Sequence, residues 1–289
     1  MTGVRADGEL VVGLGISLTA ESPDPVRLGR MAEERGFESF LLPEHTHIPL
    51  DSGNGPDGRP LTPEHSGSLD PFVALAAMAA GTERLLVGTG ICLVTQRDPI
   101  VTAKETATLD HVSGGRFLFG VGAGWNRAEL RNHGTDPATR FAVMRERVEA
   151  ITRIWTEDEA SYHGEHVSFD ALWSWPKPVR KPHPPILVGG NGPTVIDRVL
   201  AYGDEWMPMG VDESFGPRFE ELHRRAAEAG RTVGITAGGI GADPRRFDWL
   251  ARAGVHRALH WLPNGPTDVV ERAMDACADA VGTYRRAGS

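Results

Sequence analysis

Short apolar runs alternate along the chain with longer segments in which apolar residues recur every three or four positions. Runs at 10–18, 39–43, 85–94 and 116–121 read as strands, each followed by a helical pattern, at 25–35, 70–80, 99–110 and 139–155. The second half repeats the rhythm: runs at 185–188, 205–209, 232–237 and 255–261 precede helices at 194–202, 215–229, 244–253 and 266–284. About eight strand–helix units with no Ser/Gly-rich linker between them predict an α/β protein, a single-domain (β/α)8 TIM barrel over residues 1–289.

Periodicity and caps support the helices. Phe141, Met144, Val148, Ile151 and Trp155 fall on one face, with Arg145, Glu146, Arg147 and Glu149 off it, which reads as a core stripe. Asp24-Pro25 and Asp98-Pro99 each place a capping carboxylate before a proline at the first helical position, and Gly36 and Gly254 stand where helices hand over to strands.

The segment from Ala103 to Trp125 is the most informative. Arg116 to Val121 is an apolar run bounded by Gly114-Gly115 and by Gly122-Ala123-Gly124, as expected of a central parallel strand covered on both faces. Glycines at alternate positions let the backbone approach something flat or anionic closely. A dinucleotide fingerprint does not fit: G-x-G-x-x-G from Gly122 needs glycine where Arg127 stands, and from Gly120 where Trp125 stands.

Two segments break the rhythm. Residues 45–69, rich in Gly, Pro, Asp and Ser, follow the second strand, and residues 157–184 precede the fifth. Long loops in a compact barrel are usually functional, and both read as lid and substrate-pocket insertions, with Trp173, Trp175 and residues 69–72 as pocket wall.

Composition narrows the function classes. A net charge of -9 argues against a nucleic-acid or membrane-surface partner. Cys92 and Cys277 are the only cysteines and lack CxxC spacing, so neither a disulfide framework nor a thiolate zinc site is expected. The first eighteen residues lack the order of a signal peptide, and no apolar run approaches the roughly 20 residues of a membrane span, so a cytoplasmic protein is expected.

GFESFLLPEHTHIP, VGTGICLVTQRDPIVTAKETATLDHVSGGRFLFGVGAGW and PILVGGNGPTVIDRVLAYGDEWMP, in this order, resemble the luciferase-like flavin and deazaflavin oxidoreductases, closest to the branch using coenzyme F420. The resemblance implies a TIM barrel with insertions, an active site at the C-terminal strand ends, and a non-proline cis peptide bulge at Gly90-Ile91-Cys92 against the cofactor ring. It makes His45 and the acidic Glu44 before it the catalytic pair, with His45 hydrogen-bonding cofactor or substrate and able to donate a proton. Gly122, Ala123, Gly124 and Trp125 would border the ring and ribityl region; some relatives carry a carboxylate where Trp125 stands, so an acid role there does not transfer.

The resemblance also places the cofactor phosphate at Gly190, Asn191, Gly192 and Thr194, which open a helix whose free amides and dipole favour an anion. Arg97 would hold carboxylates of the coenzyme's tail; Lys177, Arg180 and Lys181 could join it, although charged loop residues are more often simply solvated. The implied reaction is hydride transfer between coenzyme F420 and a small-molecule substrate, an activated alkene, imine or carbonyl. An FMN-dependent monooxygenase working with a separate flavin reductase is the alternative; a flavin or F420 reductase is the candidate protein partner, and a homodimer is expected. His45-x-His47 at a strand end also suits a metal-dependent amidohydrolase-like barrel, but the later strand exits offer no further ligands.

Overall fold

The computed structural model describes residues 10–55 and 58–288; residues 1–9, half of the stretch read above for a leader, and residues 56–57 of the first insertion lie outside them. Strand β1 (Val11–Gly15) leads through helix α1 (Pro25–Glu34) to β2 (Ser39–Leu42). Helices α2 (Pro63–Ser66) and α3 (Pro71–Ala80) lead to β3 (Leu86–Thr89), and α4 (Pro99–Val112) leads to β4 (Phe117–Val121). After α5 (Arg127–Asn132) and α6 (Arg140–Thr156) comes an antiparallel hairpin, β5 (Ala160–His163) with β6 (Ser168–Leu172). The chain continues with β7 (Ile186–Gly189), α7 (Val195–Tyr202), β8 (Glu205–Met207), α8 (Gly216–Glu228), β9 (Gly234–Gly238), α9 (Pro244–Arg252), β10 (Arg257–Trp261) and α10 (Thr267–Gly288).

Eight parallel strands close in the order β1-β10-β9-β8-β7-β4-β3-β2, the barrel expected from the alternation. Asp24 and Asp98 cap their helices by accepting the amides of Arg27 and Val101. Among the described residues no helix is long and apolar enough to cross a membrane.

The barrel interior is layered. At the N-terminal end Arg257 spans the lumen, donating from Nε and Nη2 to the Glu38 carboxylate, each at 2.9 Å, and from Nη1 to Glu205 Oε2 at 2.9 Å. Above it Leu41, Leu118, Leu187, Met207 and Leu259 form an apolar plug. Two residues further along a strand the side chain returns to the same face. At those positions stand Gly120 after Leu118 and Gly189 after Leu187, so the lumen widens toward the C-terminal ends.

Two expectations are corrected. On α6, Met144, Val148, Ile151 and Trp155 are buried, but Phe141 is 41% exposed; Glu146, placed off the core stripe, is nonetheless buried and accepts the amides of Glu165, His166 and Val167. Residues 157–184 are no lid. They join the C-terminal end of α6 to the start of β7, which places them at the N-terminal end of the barrel. Lys177 Nζ donates to the carbonyl of Ile154 at 2.7 Å, and Asp110 accepts the Arg180 amide at 2.9 Å. Trp173 and Trp175 are largely exposed there, and no residue of this segment lines the cavity described next.

Candidate active site

A cavity of about 580 Å³ opens at the C-terminal ends of the strands, where barrels carry their chemistry. Its base is the turn after β3, where the Gly90-Ile91 peptide is cis. The Ile91 side chain lies among glycines: a Cβ on Gly122 would stand 2.5 Å from Ile91 Cδ1, and one on Gly189 would stand 3.0 Å from Ile91 Cγ2. Gly122 thus makes room for a side chain of the same protein, where the sequence suggested room for something flat or anionic. Gly90, Ile91, Gly122, Ala123, Gly124 and Trp125 all line the cavity. Cys92 does not; it is fully buried, and burial pushes its thiol pKa up.

His45 lines the cavity beside Trp125, the two rings edge to face at 5.4 Å between centroids, with the His65 ring 6.0 Å away. Its Nδ1 is 2.8 Å from Oε2 of Glu129, a buried carboxylate on α5. The neighbouring Glu44, the other half of the expected catalytic pair, also lines the cavity. One of its oxygens accepts the Leu93 amide at 2.6 Å and the other accepts Arg97 Nε at 2.6 Å, so the carboxyl is committed to holding the turn after β3. Arg97 also meets Asp70 at 2.8 Å and Glu105 at 3.0 Å and lies off the cavity lining, so three carboxylates hold the guanidinium that the resemblance assigns to the coenzyme's tail. His47 faces Asn132 and the hydroxyl of Thr46.

Gly190, Asn191 and Gly192 line the opposite end of the cavity. Among the described residues nothing accepts the amides of Asn191 and Gly192, while their carbonyls are held by Arg218 at 2.8 and 2.9 Å. The Asn191 side chain pairs with the Met209 backbone, so this residue offers its amide and not its carboxamide. Thr194 lies off the lining and accepts Arg198 Nη1 at 2.7 Å. Two cations absent from the sequence reading complete this end: Arg140 and Arg198, stacked on the Phe141 ring at 4.5 and 4.3 Å. The Nε of Arg198 is buried without a partner.

Glu129, Arg140, Phe141 and Arg198 were missed by sequence reasoning, as was Trp261, whose indole packs where a Gly15 side chain would be. One signal was available for Glu129: Asn126 with a glutamate three residues on is a helix-start pattern, and the Asn126 side chain accepts the amides of Ala128 and Glu129.

The sequence profile of the luciferase-like monooxygenases matches residues 13–245. The chain belongs to that family. A curated member from Mycobacterium tuberculosis of uncharacterized activity is 37% identical over 263 residues, covering 89% of this chain and 93% of that one. The FMNH2-dependent dimethylsulfone monooxygenase of Pseudomonas putida is 30% identical over 72% of this chain and 55% of its own. The F420-dependent glucose-6-phosphate dehydrogenase of Microbacterium testaceum is 31% identical over 57% and 46%. Among solved structures, the Streptomyces bottropensis monooxygenase RslO1 superimposes with a TM-score of 0.80 at 21% identity over 96% of this chain and 100% of its own. The coenzyme F420 dependent tetrahydromethanopterin reductase of Methanopyrus kandleri does so with 0.72 at 17% identity over 96% and 99%. This luciferase-like chain therefore shares its family with both F420-dependent and FMN-dependent enzymes. The metal-hydrolase reading falls with that membership.

Proposed function

We propose that the protein transfers a hydride between coenzyme F420 and a small organic electrophile, an activated alkene, imine or carbonyl. The observation that carries this reading is His45, turned by Glu129 so that its second ring nitrogen, Nε2, has no partner among the described residues at the cavity edge. Hydride reduction of a polar double bond also needs a proton, and an imidazole is suited to give one near neutral pH.

The residues present fit such a cofactor. The Ile91 bulge offers an apolar surface for a flat ring system, and at the far end the free amides of Asn191 and Gly192, in the loop that leads into α7, suit an anionic group together with Arg140 and Arg198. When bound, the reduced deazaflavin supplies the hydride. Ile91 would cover one face of a bound ring, and His45, Trp125 and His65 would orient a substrate on the other.

The likeness to the Pseudomonas putida enzyme supports a second reading, an FMN-dependent monooxygenase fed by a separate flavin reductase. Titrating the protein with oxidised coenzyme F420 and with FMN, followed by fluorescence, separates the two. Tighter binding of the deazaflavin supports hydride transfer. Tighter binding of FMN, with oxygen uptake when reduced FMN is supplied, overturns it.

A further inference from the structure

We propose that Glu129 is the positioning residue of this site: by accepting a hydrogen bond at Nδ1 it fixes the tautomer of His45 and reserves Nε2 for proton exchange with the substrate. The inference rests on the hydride-transfer reading for its role, but its geometry stands independently. Glu129 Oε2 lies 2.8 Å from His45 Nδ1, and Oε1 accepts the Thr46 amide at 3.2 Å. One carboxylate thus grips both the imidazole and the backbone next to it.

The grip is rigid because the helix that carries it is short and pinned. The Asn126 side chain accepts the Ala128 and Glu129 amides and donates to Ser52 Oγ at 2.9 Å, fastening α5 to the loop after β2. The Trp125 ring then packs edge-on against His45. Burial alone would raise the Glu129 carboxyl, but the hydrogen bonds from His45 and the Thr46 amide hold it below the usual carboxylate range, so it is ionised at neutral pH. An ionised carboxylate only accepts, so Nδ1 must carry the hydrogen.

The other ionisable groups around His45 do not compete for Nδ1. The ring of His65, from α2, is 6.0 Å away; Glu44 is turned to Arg97; His47 and His133 both meet the hydroxyl of Thr46. With Nδ1 committed, a protonated His45 carries its exchangeable hydrogen on Nε2. As a hydride from the reduced coenzyme reaches a carbonyl carbon, the C=O π pair moves to oxygen and that oxygen takes the Nε2 proton, leaving neutral His45 with Nδ1–H still on Glu129. In reverse, Nε2 would take the hydroxyl proton while the hydride passes from the carbon to the oxidised coenzyme. Glu129 touches neither the substrate nor the coenzyme and acts through His45.

The test combines a spectrum of the ligand-free protein with kinetics. In 15N-labelled protein at alkaline pH, with the His45 signals identified by their loss in His45→Asn, the ring nitrogens should show hydrogen on Nδ1 and a lone pair on Nε2. Glu129→Gln should lower kcat at least tenfold and change the coenzyme F420 dissociation constant less than twofold, and Glu129→Asp should recover part of the loss. A wild-type spectrum with hydrogen on Nε2 overturns the proposal and needs no variant to fold. So does unchanged kcat in Glu129→Gln, or a loss of coenzyme affinity as large as the loss of kcat. Failure of coenzyme F420 to bind the wild type would overturn the functional reading and leave the tautomer result standing.

Discussion

A methyl group on Gly122 would stand 2.5 Å from Cδ1 of Ile91, well inside van der Waals contact. Gly122 is therefore the complement of the bulge after β3. Gly122→Ala should drive the Ile91 side chain toward the cavity and raise the dissociation constant for the bound cofactor at least tenfold. Adding Ile91→Ala should restore part of the affinity, because it removes the colliding atoms, and coupling of this kind is what a double-mutant cycle measures. Unchanged affinity in the single variant would remove the packing argument.

The barrel was legible because its strands are apolar runs and the helices that alternate with them carry an apolar stripe or a capping aspartate. The site was legible in part. His45 and the glycine loops stand at strand exits, where local sequence marks position. What the sequence hid was pairing across distance. That Arg97 turns inward to Glu44, 53 residues away, depends on how β2 and β3 lie side by side. The misplacement of residues 157–184 has a simpler cause: a segment that precedes a strand enters from the N-terminal end, opposite the chemistry, however rich in aromatics it is. Arg140 and Arg198 stand on separate helices, α6 and α7, 58 residues apart in the chain, and it is their shared contact with Phe141 that brings them to one place.

Arg97 is expected to matter for stability and not for binding the cofactor tail. Removing its guanidinium leaves Glu44 buried with an unbalanced charge, a loss of about 3–5 kcal/mol in comparable buried pairs. Arg97→Ala should lower the urea midpoint accordingly, while the folded fraction keeps its coenzyme affinity within a factor of two. A tenfold loss of affinity with unchanged stability would return Arg97 to the binding site.

The ion cluster at the base of the barrel predicts acid sensitivity. Burial raises the carboxyls of Glu38 and Glu205, but Arg257 outweighs it and holds both below the usual carboxylate range. Groups depressed on folding contribute stability above their unfolded pKa, about 4.3 for glutamate, and that contribution is lost as pH falls through the folded values. Stability should therefore decline as pH drops below about 4.5. Glu205→Gln should be less stable at pH 7 and show a shallower decline, since one of the linked protons is gone. An identical pH slope in the variant, by denaturation at several pH values, would rule the cluster out as the cause.

At the far end of the cavity Arg140 and Arg198 supply positive charge in a protein whose net charge is -9, so an anionic ligand meets local attraction against a repulsive whole. Arg198→Ala should weaken binding of coenzyme F420 or FMN by about tenfold, the scale of one charge-assisted hydrogen bond. The salt dependence of affinity should flatten with it, because fewer charges are being screened. Trp173→Ala, on the hairpin segment at the opposite end of the barrel, should change neither. Equal losses in the two variants would mean that the Arg198 effect is one of general stability; a loss confined to Arg198→Ala, with the flatter salt slope, assigns the anion to the end of the cavity where α7 begins.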